Sequence, residues 1–315
     1  MSATRTAGPP TRAGERAGPL PSLIVIGAMK CGTSALHYYL DLHPEVQMSS
    51  PKELNFYCGE AEVRAPLTRA PAVEQRIMSG GQNRWALGVE WYSRHFDPRA
   101  RVRGEASPNY TAPWYPRVAE RMASVAPEAR LILMVRDPLD QLVSQHLHYR
   151  HAGHESRTLG EALSDPDGLY FERARYYKRL EPFLGLFPPE QIMVVAQEDL
   201  LRRRRETLTS VFGFLGIEEG FWTTKMERIR HSSSGKGWRA RAVRRVQYGR
   251  LGRLARFVPQ EVKWYIERLS TDGRGSGEPR VELSGSLRER AADALREDVE
   301  RLRRFARSEF AQWSV

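Results

Sequence analysis

Leu23-Ile24-Val25-Ile26-Gly27 is a buried-strand pattern that runs into a short loop bearing Gly27 and Gly32. A helical pattern then begins with Thr33 and Ser34, and its apolar positions are Leu36, Tyr39 and Leu40. This unit constrains the fold more than any other stretch, because a continuous apolar run reads as a strand covered on both faces, as in parallel sheets. The pattern recurs. Ala129–Val135 ends at Arg136-Asp137-Pro138 and leads into a helix carrying Leu139, Leu142, Val143 and Leu147. Gln191–Ala196 precedes a helix from Arg204 to Leu215, closed by Gly216. Further helices are predicted over Pro116–Val125 and, at the end of the chain, Leu283–Phe310. Strands alternating with helices predict an α/β fold with a doubly wound parallel sheet. In such sheets ligands lie at the carboxyl ends of the strands, where the Lys30 loop and Arg136 both fall.

A strand–glycine loop–helix junction is a ready anion site, since backbone N–H groups and the positive end of the helix dipole converge there. Gly27 and Gly32 keep the GxxxxG spacing of the nucleotide-triphosphate loop GxxxxGK[ST], but Thr33 occupies the lysine slot and the lysine comes earlier, as Lys30. A lysine at the crown suits a ligand with a 5′-phosphate and a transferable group beside it better than it suits Mg-ATP. The fold expected is therefore P-loop-like: a central parallel sheet flanked by helices in one domain over residues 21–315. Residues 1–20, rich in Ala, Gly, Pro, Thr and Arg, read as a disordered tail. A polar, mobile stretch is expected over 59–80, and Lys52–Tyr57 reads as a short strand or turn.

Arg136 and Ser144, two helical turns apart across a strand end, can converge on one small anion, and a guanidinium fork with a hydroxyl suits a phosphate monoester. The formal charge of +11 favours anionic ligands. Only six of the 49 basic residues are lysines, which singles out Lys30, Lys52 and Lys236. Cys31 and Cys58 give neither a disulfide framework nor a metal spacing. No apolar run reaches the roughly 18 residues that span a bilayer, and a cytoplasmic location is expected.

Together these motifs resemble those of the sulfotransferases that use 3′-phosphoadenosine-5′-phosphosulfate (PAPS). Lys30-Cys31-Gly32-Thr33-Ser34 is similar to the family's 5′-phosphosulfate loop, and Arg136 with Ser144 to its 3′-phosphate motif. Phe212–Ile217, His231–Gly237 and the closing helix with Trp313 also match, so the resemblance covers roughly residues 21–315. The glycosaminoglycan-type and related bacterial enzymes are the most similar branch. Pro51–Tyr57 resembles their segment bearing the general base, which implies that role for Glu53. Gly88–Tyr92 and Gly104–Tyr110 resemble two substrate-cleft segments; acceptor contacts are expected of Glu105, Ser107 and Tyr110 there, and of Lys52 beside Glu53. Ala106 stands where heparan-type enzymes often carry a lysine, and the paired cysteines of the secreted enzymes are absent. The resemblance further implies that Lys236 and Gly237 close over the nucleotide, with Arg239 nearby.

The chemistry implied is in-line transfer of a sulfuryl group from PAPS to a hydroxyl or amine of a carbohydrate, lipid or secondary metabolite, releasing 3′,5′-ADP without a metal. Glu53 takes the acceptor's proton and Lys30 steadies the leaving phosphate. Glu105 or a histidine stays open as the alternative base, and a surface pair with Lys52 as the plain reading of Glu53. Within the run His146, His148, His151 and His154, His148 is the candidate acceptor contact. The basic segment 238–256 suits either a solvated flank or transient contact with a membrane surface. Nucleic acid is not an expected partner, and the oligomeric state is open. The competing classes are a P-loop kinase or NTPase, which the Thr33 slot disfavours, and a non-enzymatic basic anion-binding protein, which leaves the loop and the Arg136–Ser144 pair unexplained.

Overall fold

The computed structural model describes residues 18–79, 81, 83–227 and 283–315. All of them fall in the first of two units into which the chain divides; the second, Ile229–Glu282, lies outside the described residues. In chain order the described elements begin with β1 (Leu23–Gly27), α1 (Thr33–Asp41), β2 (Val46–Met48), α2 (Ala72–Ser79), α3 (Gly88–Ser93), β3 (Val102–Ala106) and α4 (Val118–Val125). They continue with β4 (Arg130–Val135), α5 (Pro138–His151), α6 (Leu159–Ala162), α7 (Leu169–Ala174), α8 (Tyr176–Leu184), β5 (Ile192–Ala196), α9 (Gln197–Arg202), α10 (Arg204–Leu215) and α11 (Gly285–Ala306). The five strands form one sheet in the order β2-β3-β1-β4-β5. Every pairing is parallel, with Leu23 opposite both Gly104 and Arg130.

The expected doubly wound fold is therefore present. All five residues of β1 and five of six in β4 are buried, because both strands are central and covered on both faces. The chain leaves β1 toward β3 and β2, then crosses to β4 and β5 on the other side. That reversal makes the carboxyl end of β1 the switch point at which sheets of this kind bind ligands. The last helix, α11, packs against α5, α7 and α8 through Leu287, Ala291, Leu295, Val299 and Leu302. Asp298 in its buried face accepts from the Tyr177 and Lys178 amides at the start of α8, 2.9 and 2.8 Å away. No described helix is long and apolar enough to cross a membrane.

One expectation needs correction. The stretch 59–80 is not simply polar coil. It contains a 3₁₀ turn at Leu67–Arg69 and α2, with Leu67 and Met78 buried. The turn and helix are docked because Glu74, itself buried, accepts from Arg157 at 2.8 Å and from the Leu169 amide at 3.0 Å. Of the expected tail, residues 1–17 lie outside the described residues, and the Leu20 carbonyl accepts from Arg103 Nε at 2.8 Å.

Candidate active site

The loop after β1 is built by its backbone. Ala28 donates to the Met134 carbonyl at 2.6 Å, which lashes the loop to β4. Gly27 has φ 157°, and a Cβ there would come within 2.3 Å of Thr111 Oγ1. Gly32 adopts φ 89° at the N-cap of α1, a left-handed position that favours glycine. Lys30, at the crown, is also left-handed with φ 66°, a conformation uncommon outside glycine and found at ligand clamps. The Ala35 and Leu36 amides bond to the Gly32 carbonyl at 2.9 and 3.1 Å. The N–H groups of Gly32, Thr33 and Ser34 find no acceptor among the described residues. Three such amides at a helix N-terminus fit a phosphate oxygen.

Cys31 departs from the expected binding set. Its side chain is turned into the core, with Sγ 3.3 Å from Tyr176 Oη, and its amide is occupied by the Ala28 carbonyl. Burial pushes the thiol up to about 12, against the opposing pull of Tyr176 and Arg136, so it stays protonated. The Thr33 side chain is buried too, leaving its amide as the group available to a ligand.

Arg136 leaves the carboxyl end of β4 and donates to Asp140 Oδ2 at 2.9 Å. Burial opposes its charge, but the hydrogen bond and field of Asp140 outweigh burial and hold the guanidinium above its ordinary value. Asp140, Ser144 and His148 follow at i, i+4 spacing on α5, so Arg136 and Ser144 address one helix face. His148 lies one turn beyond Ser144 on that same face. Gln141 Nε2 donates to the Met29 carbonyl at 3.3 Å, joining α5 to the crown of the loop. Asp137 caps α5 through the Leu139 amide and also accepts from the amide and hydroxyl of Ser314 at 2.7 and 2.6 Å. Trp313 Nε1 reaches Glu198 Oε2 at 3.3 Å, so the chain's end is strapped across the turn that carries Arg136.

Beside the loop lies the segment bearing Glu53, pinned to the carboxyl end of β3. The Glu53 amide donates to the Ala106 carbonyl at 3.1 Å and the Asn55 amide to Ser107 Oγ at 3.0 Å. Glu53 takes φ 64° and Asn55 φ 50°, so Lys52–Tyr57 is a tight irregular turn and not a strand. The Glu53 side chain is 48% exposed, and Lys52 Nζ sits 2.7 Å from Oε1. The surface pair weighed from sequence is thus present, while Oε2 has no partner among the described residues. His37, unremarked in the sequence, belongs to this group. One turn after Thr33 on α1, it hydrogen-bonds the Ser49 carbonyl through Nε2 at 3.2 Å. Burial, helped by the charge of Lys52 and opposed by Glu53, lowers it to about 4, so it is neutral at physiological pH and donates to Ser49.

Glu105, Ser107 and Tyr110 are corrected from acceptor contacts to internal supports, because all three are buried. Tyr92, Tyr110 and Ser107 donate to the Glu105 carboxyl at 2.6, 2.5 and 2.7 Å. Burial raises Glu105 above the ordinary carboxyl range despite these hydrogen bonds. The aromatics flanking the motifs are core for the same reason. Phe56 stacks on Tyr92 at 4.2 Å, and Tyr57, Trp114 and Tyr115 are buried, leaving Trp91 half-buried. Glu105→Ala would strand three buried hydroxyls, and a stability loss of about 2–4 kcal/mol is expected in urea unfolding. With its folded value raised, Glu105 binds its proton more tightly when folded. Its contribution is full in acid and falls as pH rises through that raised value. Glu105→Gln should flatten this fall.

Lys236, Gly237, Arg239 and the segment 238–256 lie outside the described residues. A concavity of about 350 Å³ lined by Ser22, Val102, Arg130, Leu215 and Gly216 opens at the opposite, amino-terminal edge of the sheet, away from the Lys30 loop, Arg136 and Glu53. Among the described residues no three His, Cys, Asp or Glu side chains are grouped to hold a metal ion.

A lysine-crowned loop with open amides and a second cation at the neighbouring strand end make this end of the parallel sheet a candidate anion-binding site. A sequence profile of the sulfotransferase family matches residues 21–223, and the chain belongs to that family. The membrane-associated sulfotransferase kil1 of Dictyostelium discoideum is 31% identical over 130 residues, 40% of this chain and 22% of that protein. The bifunctional heparan sulfate N-deacetylase/N-sulfotransferase 3 of Homo sapiens is 24% identical over 250 residues, 69% of this chain and 26% of that protein. The chain thus spans about a quarter of the length of these relatives. A crystal structure of a sulfotransferase from Alicyclobacillus acidocaldarius superposes with TM-score 0.62 at 23% identity, covering 94% of this chain and all of that one, and shows the shared fold.

Proposed function

We propose that this sulfotransferase uses PAPS and moves its sulfuryl group to a hydroxyl, or less favourably an amine, of a small-molecule or glycan acceptor. The observation that carries this reading is the pairing of the left-handed Lys30 crown, with its open Gly32, Thr33 and Ser34 amides, and Arg136 on the adjacent strand end. Three amides and an ammonium suit a 5′-phosphosulfate, and a guanidinium aligned with Ser144 suits a ribose 3′-phosphate. When bound, PAPS supplies an activated sulfuryl group on its 5′-phosphate.

Glu53 Oε2 accepts the acceptor's proton as the new S–O bond forms, while Lys52 holds the other carboxylate oxygen. The bond from sulfur to the phosphate oxygen breaks with its electron pair passing to the phosphate, where Lys30 and the loop amides stabilise the added charge. The products are the sulfated acceptor and 3′,5′-ADP. One relative is named as a heparan sulfate N-sulfotransferase, which keeps glycans among the acceptors to try. The test is incubation with PAPS and pooled carbohydrates, lipids and metabolites, read by mass spectrometry. Sulfated product with matching release of 3′,5′-ADP supports the proposal; product formed from Mg-ATP and none from PAPS overturns it.

A further inference from the structure

Arg173 is a buried arginine with no counter-ion among the described residues. It lies on α7, is 5% exposed, and meets no carboxylate among the described residues. Other arginines nearby are treated differently: Arg157 pairs with Glu74 and Glu155, and Arg175 and Arg179 both pair with Glu172. Arg173 instead donates Nη2 to Asn109 Oδ1 at 3.1 Å and Nη1 to Met29 Sδ at 2.9 Å, and lies 4.4 Å over the Trp114 ring. Its Nε has no partner. A guanidinium cannot shed its proton at accessible pH, so burial cannot be relieved by neutralisation. A ring face and a neutral amide compensate such a charge only in part.

The position of this charge identifies its missing partner. Met29 immediately precedes Lys30. Asn109 donates to Asn55 Oδ1 at 3.4 Å, and Asn55 Nδ2 in turn holds the Glu53 carbonyl at 2.9 Å. Arg173 therefore bridges the crown of the donor loop and the turn that carries the base. A second donor, the buried Tyr149 hydroxyl, also points at Met29 Sδ, 3.7 Å away. Two donors, one a cation, thus converge on a thioether, which is a weak acceptor on a flexible side chain.

We infer that Arg173 and Tyr149 form a binding site for sulfo-group oxygens, which Met29 covers and yields when the substrate enters. This rests on the PAPS reading above. The sulfo group can come from the donor or from the sulfated product, and the binding arms separate the two. Wild type, Arg173→Met and Arg173→Lys are titrated without acceptor against PAPS and 3′,5′-ADP, and wild type and Arg173→Met also against the sulfated product with 3′,5′-ADP bound. Arg173→Met is expected to weaken PAPS on the order of tenfold to a hundredfold and to leave 3′,5′-ADP unchanged, with Arg173→Lys in between. Loss confined to PAPS places the donor's sulfo group there; loss extending to the product places both. Should Arg173→Met fail to fold, Arg173→Lys carries the same comparison. Equal effects on PAPS and 3′,5′-ADP, or none on any sulfo ligand, overturn the inference. A wild type that binds neither nucleotide sinks the PAPS reading itself, and this one with it.

Discussion

Lys30→Ala is expected to lower turnover by on the order of 10²- to 10³-fold while the protein remains folded. The lysine sits at a left-handed crown between two backbone-locked glycines, so the backbone that presents its ammonium is set before substrate arrives. Such preorganisation matters most where charge grows during reaction, here on the leaving phosphate. The loop amides and Arg136 survive the substitution, so 3′,5′-ADP should bind more weakly but still measurably. The check is kcat alongside nucleotide affinity in the same preparation. A fall in affinity alone, with kcat kept at saturating PAPS, would assign Lys30 to ground-state binding.

For Glu53→Gln the expected result is near-normal PAPS binding with kcat reduced by on the order of 10²-fold or more. The amide keeps the size of the side chain and can accept a hydrogen bond, but cannot take up the acceptor's proton. The turn should persist, because it is fixed through the Glu53 and Asn55 amides and Ser107, none of which needs the carboxylate. Glu105 is an unsuitable replacement, being buried beneath three hydroxyl groups. His37, kept neutral by burial and sensing the Lys52–Glu53 pair, is the alternative base to test, and turnover preserved in Glu53→Gln but lost in Glu53→Gln/His37→Ala would move the role to it.

What could be read from sequence followed the physics of each signal. β1, β4 and β5 stand out because their runs are apolar. β3 does not, since Arg103 and Glu105 interrupt it, and their partners Leu20, Tyr92 and Tyr110 lie elsewhere in the chain. Lys30 and Arg136 were legible because each follows a recognisable strand. Glu53 came through the resemblance, whereas its neighbours His37, Asn109 and Arg173 are isolated polar letters. Only the passage of α7 beside the crown brings Arg173 to Met29, and no local spacing encodes that. Glu105, Ser107 and Tyr110 lie about 50 residues from the Glu53 turn in sequence; the end of β3 brings them beside it, and burial then puts them behind it. The same burial turns Cys31 away from the loop it belongs to.

The most direct measurement is calorimetric titration with 3′,5′-ADP in the presence of a chelator, for wild type, Arg136→Ala and Ser144→Ala, with Mg-ATP titrated separately. Tight, metal-independent binding of 3′,5′-ADP, weakened in both variants, is the expected result. Binding of Mg-ATP in preference to 3′,5′-ADP, or affinity for 3′,5′-ADP unaffected by either substitution, would contradict a single nucleotide held between the Lys30 loop and the Arg136–Ser144 face.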